Sequence, residues 1–235
     1  MPAQPQLYYI TNRNAFPGDE PARQRQLLEK IVEATLAGVD YIQLREKDLP
    51  TRELERLASE AVKMVKQIQL ETRNPRLETK FLINSRTDIA LAAGADGVHL
   101  RSDDISPAEV QIIVSKSTRD SKQETRNFIV GVSCHSIGEV RRAAHDGASF
   151  AILAPIFGKE TTEKQSKRIQ PLGVDSLKTA CDGNLSVFAL GGVTLENAQI
   201  CLDAGVQGIA GIRLFQENNL TETVRGLRSM HSLSF

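Results

Sequence analysis

The sequence predicts an α/β protein folded as a (β/α)8 TIM barrel. Eight short apolar segments alternate with helical patterns along the 235 residues, which favours a parallel sheet with covered faces. A phrase in which a helix-ending glycine stands three residues before a strand also occurs four times, at Gly38, Gly94, Gly147 and Gly205. The even spacing means that the phrase introduces every second strand. Such a repeat suits a closed barrel better than a Rossmann sheet, whose two halves would repeat once.

Each predicted strand is a short apolar run or a segment with period-two alternation. Glycine, proline or polar residues follow most of these runs, as expected where a chain leaves a sheet. In chain order, the predicted strands span residues 7–10, 41–48, 80–84, 97–100, 128–133, 150–154, 187–190 and 208–212.

Helices are predicted where apolar residues recur at spacings of three and four. They cover residues 21–37, 51–71, 86–93, 136–147, 194–204 and 220–230. A further helix is predicted to begin at 106, and another is predicted to end at 181. Three serine–acid pairs have the spacing of a capping box, namely Ser85 with Asp88, Ser106 with Glu109 and Ser136 with Glu139. The nearly all-polar segment 115–127 is predicted to be a fraying helix end and a mobile surface loop.

Composition and charge exclude several classes of protein. Lysine plus arginine equals aspartate plus glutamate, 29 of each, so no overall field attracts nucleic acid or a membrane, and any anion site must be local. The polar start at 1–6 has no signal-peptide pattern, and no run approaches the ~18 apolar residues of a membrane span. We therefore expect a cytoplasmic protein with one domain over residues 1–235. Cys134, Cys181 and Cys201 have no CxxC spacing and are predicted to be reduced thiols.

The segment 41–48, YIQLREKD, combines an apolar face with a cationic one. Read with period two, Ile42 and Leu44 lie on one side of a strand, and Gln43, Arg45 and Lys47 lie on the other. An edge strand with a solvated face would explain the same pattern. Because the helix-ending glycine phrase leads directly into this segment, we interpret it as a barrel strand that ends in an anion-binding group.

In a barrel of this kind, active sites lie at the carboxyl ends of the strands. Functional residues are therefore expected among the residues at the end of each predicted strand. From strand two to strand eight these are Gln43, Arg45 and Lys47; Asn84; His99, Arg101, Asp103 and Asp104; Ser133 and His135; Lys159, Thr161, Thr162 and Lys164; Gly191 and Gly192; and Gly211 and Arg213.

Two kinds of chemistry follow from these residue types. Gly191 and Gly192 are predicted to open helix seven, and Gly211 precedes Arg213, where barrels commonly hold a phosphate against backbone N–H groups. Glycine also merely turns chains, but its combination with an arginine on the next strand favours an anion site. His135, just beyond strand five, is a candidate for proton transfer. His99 is interpreted as a core or supporting residue, and His145 and His231 as surface residues.

Six motifs occur in chain order: QLREKD, GADGVHL, GVSCHS, APIFGK, PLGVDSL and ALGGVTLENA. Together they resemble the thiamine-phosphate synthase and thiazole tautomerase family of thiamine biosynthesis, from residue 7 to about residue 215. The resemblance implies a barrel that binds a thiazole phosphate. The positions that match the family's phosphate site are Gly191, Gly192, Ile212 and Arg213.

The family has two branches. In the synthase branch, a pyrimidine diphosphate loses pyrophosphate as its methylene joins the thiazole nitrogen. The positions that match its pyrimidine diphosphate site are Gln43, Arg45, Lys47 and Asn84, with Ser133 at the pyrophosphate. The tautomerase branch moves a proton to make a carboxythiazole phosphate aromatic, and His135 matches its acid/base histidine.

Departures from the synthase pattern distinguish the branches. Synthases usually read NDR after strand three, with the aspartate on magnesium, whereas Ser85 stands at that position here. A neutral hydroxyl is a poor replacement because magnesium prefers hard anionic oxygens; capping of the next helix would explain Ser85 without chemistry. Arg101 and Ser102 replace a GQ pair, although Asp104 matches the second metal ligand. The threonine–lysine pattern after strand six is altered as well, and Lys159 or Lys164 could substitute there.

These departures favour a tautomerase-like enzyme that needs no cofactor. Arg45 and Lys47 would hold the substrate carboxylate, the glycines and Arg213 its phosphate, and His135 would shuttle the proton. Arg101, Lys159 and Gly211 complete the candidate substrate-binding set. The alternative is a synthase that binds Mg²⁺ through Asp104 and a pyrimidine diphosphate as second substrate. A further alternative is a catalytically silent protein that binds thiazole phosphate. The sequence leaves open whether the chain forms a homo-oligomer.

Overall fold

The computed structural model describes residues 4–74, 78–119, 128–158 and 170–230, and its eight parallel strands close into a barrel. Each strand pairs with the next, and β1 pairs with β8 to close the ring. The strands are β1 (Gln6–Ile10), β2 (Tyr41–Leu44), β3 (Lys80–Asn84), β4 (Gly97–Leu100), β5 (Ile129–Cys134), β6 (Phe150–Leu153), β7 (Val187–Ala189) and β8 (Gly208–Gly211). The predicted (β/α)8 TIM barrel is confirmed.

In the described part of the chain, helices follow the strands and cover the outside of the ring. They are α1 (Glu20–Ala37), α2 (Thr51–Thr72), α3 (Thr87–Ala93), α4 (Pro107–Arg119), α5 (Ile137–His145), α6 (Gly173–Cys181), α7 (Ala198–Asp203), α8 (Arg213–Gln216) and α9 (Leu220–Ser229). The one-turn helix α8 has too few residues to show an apolar period, so the sequence did not predict it. Of the polar segment 115–127, residues up to Arg119 continue α4, and 120–127 lie outside the described residues.

The repeated glycines explain how each helix turns into the next strand. Gly38, Gly94, Gly147 and Gly205 have φ of 84°, 65°, 79° and 92°. A side chain is unfavourable in this left-handed region, so glycine is the residue that ends these helices most easily. The sequence repeat therefore has a conformational cause.

Ser106 and Ser136 accept the capping hydrogen bonds as predicted, but only the Ser106–Glu109 pair forms a complete capping box, because Glu139 accepts the backbone N–H of His135 instead. The backbone N–H of Glu109 donates to Ser106 Oγ at 3.3 Å, and that of Glu139 donates to Ser136 Oγ at 3.2 Å. The prediction for Ser85 is wrong. Arg86 occupies the N-cap of α3 without a side-chain cap, and Ser85 has a φ of 60°. Its Oγ instead accepts a hydrogen bond from Asn84 Nδ2 at 3.1 Å.

A cluster of aromatic rings fills the barrel interior. The ring centroids of Phe150 and Phe188 lie 5.1 Å apart, and those of Tyr8 and Tyr41 lie 5.6 Å apart. Gly131 leaves room for this cluster, because a Cβ there would lie 2.5 Å from the Phe150 ring. A larger apolar core lies between the strands and the surrounding helices. The closed interior leaves the carboxyl ends of the strands, called the rim below, as the place for a ligand.

The cysteines are free thiols, as the sequence predicted. Burial raises the pKa of Cys134 and of Cys201 to about 12, so these thiols are unreactive as nucleophiles near neutral pH. Over the described ranges, no helix has the length and apolar composition needed to cross a membrane.

Candidate functional site at the barrel rim

The first part of the site is formed by polar side chains after β2, β3 and β4. Its members, which we call the charged sector, are Gln43, Asn84, Arg45, Lys47 and Arg101. Gln43 is buried, and its Nε2 donates to Asn84 Oδ1 at 3.3 Å, which joins the ends of β2 and β3. Ile42 and Leu44 instead belong to the core outside the barrel. The predicted alternation is therefore confirmed for Ile42, Gln43 and Leu44, whereas Arg45 and Lys47 lie beyond the strand.

The sheet ends at Leu44 rather than at 48 because the next residues join a buried ion-pair network. Arg13 and Glu46 are each only 3 % exposed, and Arg13 Nη1 lies 3.2 Å from Glu46 Oε2. The same guanidinium contacts both oxygens of Asp48, at 2.6 and 2.9 Å. Its Nε lies 2.7 Å from Glu20 at the start of α1. One arginine in the β1–α1 connection thus contacts three carboxylates.

This network also fixes the backbone that carries Arg45. Thr11 Oγ1 donates to Glu46 Oε1 at 2.6 Å and accepts the backbone N–H of Arg45 at 3.0 Å. Hydrogen bonds from Arg13 lower the pKa of Asp48 well below its usual range, so this carboxylate stays ionised at neutral pH. Glu46 and Asp48 therefore hold the loop while Arg45 and Lys47 occupy the alternate positions.

The charged sector concentrates positive charge. The pKa of Lys47 is lowered, mainly by partial burial and next by the nearby guanidinium groups of Arg45 and Arg101. Asp103 and Asp104 act in the opposite direction, but the net shift is downward. Cations that disfavour one another in this way are stabilised by an anion carrying more than one charge.

The structure shows what Asp104, the predicted metal ligand, contacts. Its Oδ2 accepts the backbone N–H of Arg101 at 2.8 Å, and its Oδ1 lies 3.4 Å from Arg101 Nε. Asp103 lies 3.1 Å from the same guanidinium. Within the described ranges, no group of three or more histidine, cysteine or acidic side chains could hold a metal ion. With Ser85 in place of an acid, these residues do not fit a preformed Mg²⁺ site.

His99 and Ser133 connect the ends of β4 and β5. His99 is 1 % exposed, which agrees with its interpretation as a core or supporting residue. Its Nε2 lies 2.9 Å from Ser133 Oγ, and its Nδ1 lies 3.1 Å from the hydroxyl of Tyr8. Burial, assisted by the charge of Arg45, lowers the pKa of His99 to about 3, so the ring is neutral.

His135 is exposed and follows β5 directly. Its Nδ1 lies 2.8 Å from the carbonyl oxygen of Ala154, at the end of β6. Because a carbonyl oxygen only accepts hydrogen bonds, Nδ1 carries a proton, and Nε2 is the acceptor of the neutral ring. The backbone N–H of His135 donates to Glu139 Oε2 at 2.6 Å, which fixes the start of α5 below it. His145 is exposed, as predicted, whereas His231 lies outside the described residues.

The second part of the site, which we call the glycine sector, follows β7 and β8. It comprises Gly191, Gly192, Gly211, Ile212 and Arg213, which line one cavity of about 680 Å³. The structure therefore brings the predicted phosphate-binding residues together. Arg213 is exposed at the first turn of α8, and Asn12 and Asn218 also line the cavity.

Close backbone packing requires glycine at both positions of the pair. Gly191 and Gly192 have φ of 96° and 67°. A Cβ on Gly191 would lie 2.7 Å from Pro155, and one on Gly192 would lie 2.8 Å from Phe157 Cβ. The backbone N–H of Phe157 donates to the carbonyl of Gly191 at 2.9 Å, so the β6 loop lies against the pair.

The prediction that this glycine pair opens helix seven is wrong. Helix α7 begins at Ala198, because residues 194–197 form a turn held by Asn197. Its Oδ1 accepts the N–H of Thr194 at 2.8 Å, and its Nδ2 donates to the carbonyl of Gly192 at 2.9 Å. An asparagine side chain that bonds nearby backbone in this way competes with the helix.

Several supporting residues were not found from the sequence. Arg13 and Glu46 form the buried pair, and Tyr8 contacts His99. Gln216 joins α8 to the loop after β1 through the backbone of Asn12. Gln216 Oε1 accepts the N–H of Asn12 at 3.1 Å, and Gln216 Nε2 donates to the Asn12 carbonyl at 2.6 Å. The period-two alternation of segment 41–48 places Glu46 and Asp48 on the face opposite Arg45. This alternation was the sequence signal that could have identified Glu46 as buried. Lys159, Thr161, Thr162 and Lys164 lie outside the described residues.

Comparison with known proteins identifies a family over most of the chain. A family model described as thiamine monophosphate synthase matches residues 7–215. A protein of Aquifex aeolicus named "Putative thiamine-phosphate synthase 2" is 38% identical over 91% of this chain and 98% of its own length. The thiamine-phosphate synthase of Coprothermobacter proteolyticus is 31% identical over 95% of this chain and 93% of its own length.

A solved structure gives the same result. The thiamine phosphate pyrophosphorylase from Pyrococcus furiosus superimposes with a TM-score of 0.74 at 26% sequence identity. The match covers 96% of this chain and 94% of the other chain. Fold and sequence thus agree over nearly the full barrel.

Proposed function

Because the chain belongs to the thiamine monophosphate synthase family, we propose that it acts as a thiamine-phosphate synthase. The reaction joins a pyrimidine diphosphate to a thiazole phosphate and releases pyrophosphate. This is the branch that the sequence analysis held as its alternative. The names of the relatives support it better than the tautomerase.

The observation that carries the proposal is the crowding of cations in the charged sector. Arg45 and Arg101 are near enough to Lys47 to help lower its pKa. A diphosphate carries enough negative charge to interact with all of these groups, whereas a single carboxylate does not. Gln43 and Asn84, which are hydrogen-bonded to each other beside these cations, would hold the pyrimidine.

The glycine sector would hold the second substrate. Its cavity of about 680 Å³ is large enough for a small phosphorylated heterocycle. Gly211, Ile212 and Arg213 would contact the phosphate through backbone N–H groups and one guanidinium. With one anion bound in each sector, the reacting atoms would be held together across the rim.

The bond changes need no acid or base from the protein. The lone pair of the thiazole nitrogen forms a bond to the pyrimidine methylene carbon as the bond between that carbon and the diphosphate oxygen breaks. The bonding electrons leave with pyrophosphate. Arg45 and Lys47 would stabilise the negative charge that develops on the leaving group, and Ser133 would donate a hydrogen bond to it.

The family resemblance also implies Mg²⁺, but the described acids do not fit a preformed site for this ion. Asp103 and Asp104 both contact Arg101, and Ser85 supplies no charge. We therefore assign no step to a metal. The Arg101 guanidinium pairs with the two carboxylates at the place where the resemblance would put the ion.

A coupled assay tests the function. The protein is incubated with hydroxymethylpyrimidine diphosphate and the thiazole phosphate, and thiamine phosphate and pyrophosphate are measured with and without Mg²⁺. We expect the two products in equal amounts, only when both substrates are present, with a large loss in Arg45→Ala. Exposed Arg52 provides the matched control variant, Arg52→Ala. Binding of the thiazole phosphate without turnover would contradict the proposal and favour the silent binding protein.

A second candidate function rests on His135. Its Nδ1 is anchored to Ala154, which leaves Nε2 available to move a proton in the tautomerase reaction. The test is to add the non-aromatic thiazole carboxylate phosphate and to follow the ultraviolet absorbance of the aromatic isomer. If His135→Ala leaves such an activity unchanged, the histidine has no part in it. If wild-type protein produces no aromatic isomer, the tautomerase is excluded.

A further inference from the structure

A hydrogen-bonded chain runs from the barrel interior to the rim. It consists of Tyr8 on β1, His99 on β4 and Ser133 on β5. The Tyr8 hydroxyl lies 3.1 Å from His99 Nδ1, and His99 Nε2 lies 2.9 Å from Ser133 Oγ. Tyr8 and His99 are 0 % and 1 % exposed, whereas Ser133 is only partly buried. The chain therefore has one end in the core and one end at the proposed site.

The histidine in the middle has one proton to donate. Burial lowers the pKa of His99 to about 3, so near neutral pH one ring nitrogen carries hydrogen and the other is an acceptor. The direction of both hydrogen bonds therefore depends on the tautomer.

The buried phenol selects that tautomer. Among the described residues, His99 is the hydrogen-bond partner of the Tyr8 hydroxyl. If Nδ1 carried the proton, the hydroxyl could only accept, and its own proton would be buried without an acceptor. Burying an unpaired donor is unfavourable. The stable arrangement has Tyr8 donating to Nδ1, which places the ring proton on Nε2.

The tautomer then decides what Ser133 can do. Since Nε2–H donates to Ser133 Oγ, the serine proton is directed away from His99. Ser133 lies at the carboxyl end of β5, one residue before the strand ends at Cys134. Its hydroxyl therefore presents a hydrogen-bond donor to the rim, which suits an anionic ligand.

We propose that Tyr8 and His99 orient the Ser133 hydroxyl so that it donates a hydrogen bond to the diphosphate of the substrate. His99 is then a positioning residue that does not touch the substrate. This rests on the proposed function, which places a diphosphate at the rim. The proposal is testable because Tyr8 and His99 affect the ligand only through Ser133, whereas Ser133 contacts the ligand directly.

The tautomer is measured directly by nitrogen–proton correlation NMR of the histidine side chains, without any substrate. The spectrum of His99→Gln assigns the His99 signals. We expect the Nε2–H tautomer in the wild type and, in Tyr8→Phe, a changed chemical shift of Nδ1, because the phenol no longer donates to that nitrogen. An Nδ1–H tautomer in the wild type would overturn the proposal whatever the protein catalyses.

The link to the ligand is tested with inorganic pyrophosphate as the probe, titrated into each variant by calorimetry. We expect Ser133→Ala and His99→Leu each to weaken binding about tenfold, as expected for the loss of a hydrogen bond to an anion. His99→Gln, whose amide can still donate to Ser133, should retain most of the affinity. It also controls for variants that fold poorly.

A double-mutant cycle separates positioning from a merely structural effect. If His99 acts through Ser133, then His99→Leu causes no further loss in the Ser133→Ala protein. Fully additive losses would overturn the proposal. In the coupled assay, the same variants should raise the KM for the pyrimidine diphosphate and leave that for the thiazole phosphate unchanged. An inactive wild type would contradict the proposed function, whereas the NMR and pyrophosphate results would still decide the role of His99.

Discussion

On the β2–β4 side of the rim the candidate anion-binding groups are charged side chains, whereas on the β7–β8 side they are mainly backbone groups. Arg45 and Lys47 lie in a loop that is held by the buried Arg13 and Glu46 pair. Gly191 and Gly192 instead lie against the β6 loop and line a cavity. In the proposed function, the two sectors would thus attract an anion by different means.

The difference shows what each sector needs from the rest of the fold. Long cationic side chains must be placed by a neighbouring network, because they repel one another. Backbone N–H groups need no such network, but they need the space that a side chain would fill. Removing a charge should therefore damage the charged sector, and adding a single carbon should damage the glycine sector.

The largest effect is expected when the network below the charged sector is broken. Arg13→Ala leaves Glu46 buried without its guanidinium, which should lower the free energy of unfolding by about 3–5 kcal/mol. Chemical denaturation measures this loss. Arg25→Ala is the matched control, because Arg25 is exposed and lies 4.0 Å from exposed Glu29, a pair worth about 0–1 kcal/mol. Equal losses in the two variants would contradict a structural role for Arg13.

The next effect concerns the glycine sector. In Gly192→Ala, the added Cβ would lie 2.8 Å from Phe157 Cβ at a φ of 67°. We expect a loss of about 1–3 kcal/mol in stability from the strained backbone. The KM for the thiazole phosphate should rise, while the KM for the pyrimidine diphosphate changes little.

Gly183→Ala controls for the loss of glycine as such. A Cβ on Gly183 would have its nearest neighbour at 3.7 Å, and the backbone there is not left-handed. We expect a stability change within about 0.5 kcal/mol and normal kinetics. If Gly192→Ala behaved like this control, close packing would not be what the pair provides.

The reciprocal change in the charged sector should have a comparable or somewhat smaller effect. Arg45→Ala removes a guanidinium without leaving a buried partner, so stability should change little. Loss of a hydrogen bond to a charged group corresponds to an affinity that is about 10- to 100-fold lower. Steady-state kinetics should show this as a raised KM for the pyrimidine diphosphate alone. A raised KM for the thiazole phosphate instead would reverse the assignment of the two sectors.

The smallest effect is a pH dependence from Lys47. Its pKa lies below the ordinary lysine value of 10.5 because of partial burial and then its cationic neighbours. The ammonium form attracts an anion, so pyrophosphate binding should weaken as pH rises through this lowered pKa. We expect at most about a fivefold change, since the group is exposed to solvent. Titrations across this range should show the change in the wild type and not in Lys47→Arg.

Much of this architecture could be predicted from the sequence. The glycine phrase and the alternation of apolar runs predicted the barrel because both follow directly from backbone conformation and burial. Barrel closure then placed strand-end residues such as Asn84, Ser133 and Gly192 at one rim. These are local signals, and the chain topology converts them into a site.

The missing parts depend on a contact between residues distant in sequence and on local backbone conformations. Arg13 stands in a polar connector and resembles a surface residue, since its partner Glu46 is 33 positions away. Ser85 has capping-box spacing, but its left-handed φ excludes it from the N-cap of α3. Helix α7 starts late because Asn197 bonds the backbone before it. The spacing of apolar residues shows neither the distant contact nor these local backbone conformations.

A crosswise titration tests the division of the rim most directly. Pyrophosphate and thiazole phosphate are each titrated by calorimetry into the wild type, Arg45→Ala and Gly192→Ala. Two separate anion sites predict that Arg45→Ala loses affinity for pyrophosphate alone and that Gly192→Ala loses affinity for thiazole phosphate alone. Loss of both ligands in the same variant, or of neither ligand in either variant, would contradict a rim built from two complementary sectors.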